Sequence, residues 1–338
     1  IGAQPNEIYF TSGGTEADNW VLRGICKALS HKGKHIITTK IEHAAMLSTA
    51  KELEKEGYEF TFLNVDNEGF VDLTELEKSI RPDTILVSCM YANNEIGTIE
   101  PIKKIAEIAH AHGVLCHTDA VQAMGAMRIN VRDSGVDMMS FSAHKFNGPK
   151  GMGALFIKTG VPVGRLISGG HQERTRRGGT TNVPGVVGFA EALRLTYETL
   201  DEDVKHVAAL RDRFVKRVLE EVPYVRFNGP KDMTKRLPNN ADFSFEYIEG
   251  ESILFSLDLA GIAVSSGSAC SSGSLEPSHV LLAIGVPEEL AHGSIRFTFG
   301  KENTEEEVDY TVEKIKETVE RLRKMSPLFK LDGTLKEV

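Results

Sequence analysis

Much of what would assign this chain quickly to a class is missing from it. It has no apolar run of the roughly 20 residues that a membrane-spanning helix needs, and no secretory signal opens it. It has no excess of positive charge: 39 Lys and Arg stand against 48 Asp and Glu, a formal net charge of −9. That balance argues against a general nucleic-acid binder. It holds only four cysteines, Cys26, Cys89, Cys116 and Cys270, with no CxxC or other metal-ligand spacing, so no metal site is expected. Free thiols without a signal peptide favour a reducing, cytoplasmic setting. No internal repeat or low-complexity tract is present. The chain starts at Ile1 and runs at once into an expected core strand, which points to an N-terminal piece lying outside this sequence.

What is present is ordinary in amount and regular in pattern. The 338 residues, 41% apolar and 26% charged, are enough for two domains with sizeable cores. Strand patterns over residues 7–10, 35–39, 60–65, 84–91, 114–118, 136–141 and 154–158 alternate with helical patterns over 15–29, 44–56, 73–80 and 102–112. Such alternation predicts an α/β fold with a mainly parallel sheet covered by helices. Ligands of such sheets bind beyond the carboxyl ends of the strands, so the loops after strands are the place to search. A long helical pattern over 185–222 leads into shorter strands (242–245, 294–299) and helices (251–259, 305–324). The expected organisation is a large domain over residues 1–200 and a smaller α/β domain over 201–338, with a loosely held tail from Ser326.

Several of these loops carry chemistry-bearing residues. Val136-Asp-Met-Met-Ser-Phe141 reads as a buried strand ending in Ser142, Ala143, His144 and Lys145, before a Gly/Pro loop. A lysine at such an end, half out of water, would have a lowered amine pKa and could attack a carbonyl; alternatively its head is simply solvated. Phe10-Thr-Ser-Gly-Gly-Thr-Glu16 is a strand, a glycine turn and a helix start. It suits either a phosphate or a plain helix cap. No Gly-Lys-Ser/Thr follows it, and it is not Gly-x-Gly-x-x-Gly, so neither an ATP-type phosphate loop nor a dinucleotide turn is indicated. Asp119 ends the strand Leu115-Cys-His-Thr-Asp119. It reads either as a helix cap or as the partner of a buried cationic ring nitrogen, with Gln122 one turn on. Tyr91-Ala-Asn-Asn-Glu-Ile-Gly97 is densely polar, and Asn93, Asn94 or Glu95 could meet a ligand or build a turn. His43, just past a strand, is either structural or placed to stack on a flat ring and move protons. The Gly/Arg loop 169–180 is either a surface loop or a source of donors to an anion, one that could belong to a neighbouring subunit. Ser265-Ser-Gly-Ser-Ala-Cys-Ser-Ser-Gly-Ser274 surrounds Cys270 with residues that cannot pack a core, which favours a reachable thiol that travels. The other three cysteines read as small buried hydrophobes. Arg296 interrupts an apolar strand pattern, as a solvated edge arginine or as a clamp on a substrate carboxylate.

Taken together, Ser142-Ala-His-Lys145, His117-Thr-Asp-Ala-Val-Gln122, Arg177-Gly-Gly-Thr180 and Ser268-Ala-Cys-Ser-Ser-Gly-Ser-Leu-Glu-Pro-Ser278 resemble the pyridoxal-phosphate-dependent cysteine desulfurases of the nitrogen-fixation and iron–sulfur-cluster type. These are class V aminotransferases of pyridoxal-phosphate fold type I, and the resemblance covers nearly the whole chain. It implies that Lys145 holds pyridoxal 5'-phosphate as a Schiff base and later removes the substrate α-proton. Asp119 would pair with the pyridine nitrogen, and His43 would stack on the ring and take part in proton transfer. Gln122 would bond the phenolic oxygen; Gly14, Thr15, Ser142 and His144 would hold the phosphate. Thr180 would reach the phosphate of the other subunit of a homodimer, and Asn94 and Arg296 would bind the substrate carboxylate. L-cysteine would become L-alanine, its sulfur kept as a persulfide on Cys270 and passed to an iron–sulfur scaffold or other acceptor. The family's Asp-Asn-x-Ala-Thr-Thr segment is not among these residues.

Four other readings compete. A selenocysteine lyase on the same fold overlaps in chemistry, whereas an aminotransferase needs no mobile thiol. A catalytically silent sulfur-assembly scaffold would be signalled by loss of Lys145 or Cys270, and both are present. A dinucleotide-binding oxidoreductase lacks its glycine turn.

Overall fold

The computed structural model describes residues 1–266, 276–327 and 329. Ile1–Val65, Phe70–Asn93 and Ile99–Asp201 form one compact unit; Asp66–Gly69, Asn94–Thr98 and the described part of Glu202–Val338 form another.

The first unit runs β1 (Ile8–Thr11), α1 (Gly14–Leu29), β2 (His35–Thr39), α2 (Ala44–Lys55), β3 (Glu59–Leu63), α3 (Leu73–Ser79), β4 (Thr84–Ser88), α4 (Ile102–Ala111), β5 (Leu115–Asp119), α5 (Val131–Ser134), β6 (Met138–Ser142) and β7 (Gly153–Ile157). The strands form one sheet in the order β1-β7-β6-β5-β4-β2-β3. Pairing is parallel from β6 through β5, β4 and β2 to β3, and antiparallel where β7 meets β6 and β1. The expected mainly parallel α/β sheet is therefore present. Every residue of β2, β4, β6 and β7 is buried, as a sheet covered on both faces requires.

Helix α1 packs on this sheet through an apolar stripe that includes Ala17, Trp20, Val21 and Ile25. The indole of Trp20 lies edge-on to Tyr9 at 5.6 Å, and its N–H donates to the Gly164 carbonyl at 2.9 Å. Gly24 permits this approach, because a Cβ there would sit 2.7 Å from Val163 Cγ1.

Topology gathers the polar loops. β1 is antiparallel to β7, which is antiparallel to β6, so β1 points the same way as the parallel strands. The carboxyl ends of β1, β2, β4, β5 and β6 thus share one sheet edge. The segments 12–15, 40–43, 89–93, 120–122 and 143–145 all leave from it.

Helix α6 (Val183–Glu221) leads into the second unit, which contains β8 (Val225–Asn228), β9 (Asn240–Phe245), α7 (Gly250–Leu259), β10 (Ser265–Ser266), α8 (His279–Ala283), α9 (Glu288–Ala291), β11 (Ser294–Thr298) and α10 (Glu305–Met325). Its antiparallel sheet has the order β10-β11-β9-β8. The core is aromatic: Phe214 packs against Phe243 at 6.0 Å and Phe297 at 4.8 Å.

Several details differ from the sequence pattern: the strand expected over 84–91 ends at Ser88, and β8 has no counterpart in it. Glu7 closes a 3-10 turn (Pro5–Glu7) instead of opening β1, because its buried carboxylate accepts Gln4 N–H and Thr159 N–H and pairs with Arg132. Asp137 precedes β6, with its carboxylate accepting Cys116 N–H at 2.9 Å and facing His110 Nε2 at 2.8 Å. The strand starts at Met138 and runs on to Ser142.

Candidate active site

Lys145 lies one turn past the strand, on a 3-10 turn (Ala143–Phe146), and it is exposed. Of the two readings of this lysine, the solvated head is the one found: the turn carries it beyond the buried part of β6. Its electrostatic partner is Asp119, whose charge the lysine favours. Ser142 ends β6 buried, and its Oγ shares a 2.9 Å hydrogen bond with His144 Nδ1. His144 is held below the usual histidine range by desolvation and by the charges of Lys145 and Lys150.

Asp119 is 6% exposed and accepts the Val121 N–H at 2.9 Å. Burial raises its pKa to about 6, against the Val121 bond and Lys145, which lower it. It thus sits inside the protein within electrostatic reach of Lys145. Gln122 follows on a single turn closed by the N–H groups of Ala123 and Met124 on the Ala120 carbonyl, so Asp119 and Gln122 stay close without a regular helix.

Gly14 and Thr15 open α1 with free backbone amides at its N-terminus. A Cβ on Gly14 would fall 2.5 Å from Val121 Cγ2 and 3.7 Å from Ser142 Cβ. Only glycine brings the helix start this close to the ends of β5 and β6. His43 caps α2, its Nδ1 accepting Ala45 N–H at 3.1 Å, which leaves the proton of the neutral ring on Nε2. Thr180 is exposed and shares a cavity of about 70 Å³ with Ser12 and Arg177. Its loop is tied to its own unit: Arg177 pairs with Glu16 at 2.8 Å, and the Arg174 guanidinium lies 3.9 Å from the Tyr9 ring centre.

In the second unit Arg296 occupies β11, which is flanked by β10 and β9. It is not a solvated edge residue. One Nη donates to the Asn94 carbonyl at 2.7 Å, and Nε is buried with no hydrogen-bond partner among the described residues. Glu95 Oε2 accepts Ser278 Oγ at 2.5 Å. Burial raises the Glu95 carboxyl, against the Ser278 bond and the charges of His279 and Arg296. Asn93 is not a ligand candidate: it is fully buried, and its Nδ2 donates to the Ile41 carbonyl at 2.9 Å. Cys270 lies outside the described residues. Cys26, Cys89 and Cys116 are buried, and burial raises the Cys26 thiol to about 12.

Sequence reasoning passed over Asp18, Glu42 and the imidazole of His117. Asp18 left a signal, an acid within the apolar stripe of α1 between Ala17 and Trp20.

The sheet edge offers a helix N-terminus for an anion, a buried carboxylate for a cationic ring nitrogen and an exposed primary amine. This donor set fits pyridoxal phosphate. The comparisons agree. Residues 1–311 match the family model described as aminotransferase class-V, and the chain belongs to that family, on the pyridoxal-phosphate fold type I. It is 54% identical to the cysteine desulfurase IscS of Clostridium botulinum over 329 residues, 97% of this chain and 83% of that one. A solved NifS-like protein superposes with a TM-score of 0.88 at 42% identity, covering 95% of this chain and 84% of the other. The solved structure titled SspA in complex with cysteine has a TM-score of 0.74 at 32% identity, covering 89% and 84%. Within the class V family, the chain lies among the IscS/NifS-like cysteine desulfurases.

Proposed function

We propose that this chain is a cysteine desulfurase that uses pyridoxal phosphate, converts L-cysteine to L-alanine and keeps the sulfur on Cys270. The observation that carries the reading is the buried Asp119 carboxylate beside Lys145, at the edge where the α1 N-terminus and Ser142 also meet. The cofactor, when bound, supplies an electron sink for the charge left at the substrate α-carbon.

The chain's own residues do the rest. Lys145 Nζ attaches the cofactor and moves the α-proton. The Asp119 carboxylate keeps a proton on the ring nitrogen. His43, with Nε2 carrying its proton, would stack on the ring and take part in proton transfer, and Gln122 would donate to the phenolic oxygen. The amides at Gly14 and Thr15, with Ser142 and His144, hold the phosphate. Thr180 serves the phosphate of the other subunit in a homodimer, a role supported by its exposure on a glycine-flanked loop. Asn94 and Arg296 would take the substrate carboxylate; the buried Arg296 Nε, which has no hydrogen-bond partner among the described residues, supports this.

The Cys270 thiolate attacks the substrate sulfur. The new S–S bond would form as the carbon–sulfur bond breaks; the electron pair of that bond stays with the substrate carbon skeleton, which is protonated and leaves as alanine, and Cys270 is left as a persulfide. That persulfide is then open to an acceptor protein such as an iron–sulfur scaffold. The thiolate form is required.

The test is turnover of the purified chain with cysteine, with alanine and sulfide measured beside Lys145→Ala and Cys270→Ser. Alanine and sulfide from the parent and neither from the variants supports the reading. Unchanged alanine formation in Lys145→Ala contradicts it.

A further inference from the structure

Behind Asp119 the first unit holds two more acids. Alternation along β5 sends His117 and Asp119 to the same face, and their neighbours on β4 and β6 are Ser88 and Ser140. His117 is fully buried, with Nδ1 2.8 Å from Ser88 Oγ and Nε2 2.9 Å from Ser140 Oγ. Ser140 in turn bonds Asp18 on α1. Glu42, just past β2, is fully buried, and its Oε1 accepts Thr39 Oγ1 at 2.8 Å and Met90 N–H at 2.9 Å. Asp18 feels the charges of both Asp119 and Glu42, and Glu42 feels Asp119.

Three buried carboxyl groups therefore act on one another's charge. Among the described residues, the basic side chains that face them are His117 and Lys145. His117 is held neutral by burial, its pKa pushed down to about 3, and Lys145 acts on Asp119. Asp18 Oδ1 lies 3.9 Å from His117 Nε2 and is buried with no hydrogen-bond partner among the described residues. An ionised oxygen there would carry charge with no donor to offset it, which costs far more than leaving a neutral acid in place. Like charges in one site cannot all ionise.

We propose that Asp18 and Glu42 are neutral acids in the folded protein and confine the negative charge of this buried cluster to Asp119. Their protonation is a property of the chain alone. Only its meaning, that both are positioning residues for the charge Asp119 presents to a ring nitrogen, rests on the function proposed above. Burial is the main cause for both: it raises Glu42 to about 8, and it raises Asp18 well above its usual range.

Infrared difference spectra of the purified full chain in H2O and D2O at neutral pH test this. Glu42→Gln deletes one protonated-carboxyl band present in the parent, and Asp18→Asn deletes another. Spectra in which neither substitution removes such a band overturn the proposal. If Asp18→Asn does not fold, thermal unfolding of Glu42→Gln against pH still decides. An acid that keeps its proton only when folded makes the unfolding equilibrium rise about tenfold per pH unit between its unfolded and folded pKa values. Glu42→Gln lacks that contribution up to about pH 8; identical slopes in parent and variant overturn the proposal. Neither readout requires turnover, so failure here is distinct from failure of the desulfurase reading.

Discussion

Asn93 Nδ2 donates to the Ile41 carbonyl at 2.9 Å, bonding the segment after β4 to the segment after β2. Met90 N–H makes a second bond across the same gap, to Glu42. Between them they hold the peptide that leads to His43. Asn93→Ala leaves the Ile41 carbonyl buried without this donor, which costs about 1–3 kcal/mol. Denaturant unfolding is expected to show that loss, with a further drop in turnover because His43 is no longer held. A variant with parent stability contradicts the clamp.

Gly14→Ala places a Cβ 2.5 Å from Val121 Cγ2. Valine is stiff at χ1, so the Val121 segment must shift, and with it the N–H bonded to Asp119. Weaker retention of pyridoxal phosphate on dialysis is expected, with an intact circular dichroism spectrum. Full retention contradicts the close approach described here.

Asp242 gives a pH test in the second unit. It lies opposite Arg296 on β9 and accepts Asn228 Nδ2 at 2.8 Å. Burial raises it to about 7, helped by the charge of Glu95 and opposed by Asn228, Arg236 and Arg296. A carboxyl raised on folding binds its proton more tightly in the native state. Its contribution is complete below the unfolded pKa and is lost as pH rises to about 7. The slope is at most about 1.4 kcal/mol per pH unit. Asp242→Asn is expected to flatten the fall in stability over that window. A steeper fall in the variant contradicts it.

Strands buried on both faces leave continuous apolar runs, so most of the sheet was legible in the sequence. The loops at its carboxyl edge followed from topology, which is why Asp119, Ser142 and Lys145 could be placed on one side. Other features depend on tertiary partners that no local pattern records. The exposure of Lys145 comes from a 3-10 turn after Ser142. β8 is four residues long, with only Asn228 buried, so it lacks both an apolar run and clean alternation. Asn93 looked like a turn or ligand residue because its acceptor, the Ile41 carbonyl, is 52 residues away in the chain. Arg296 read equally as an edge residue until β10 was seen to cover it.

Absorbance of the purified chain before and after cysteine, with alanine and sulfide assayed in parallel, tests the central claim most directly. The account predicts a visible cofactor band that Lys145→Ala abolishes or traps, together with alanine and sulfide formation that Cys270→Ser loses. A chain reconstituted with pyridoxal phosphate that shows no band, or one whose band and sulfide release survive both substitutions, contradicts it.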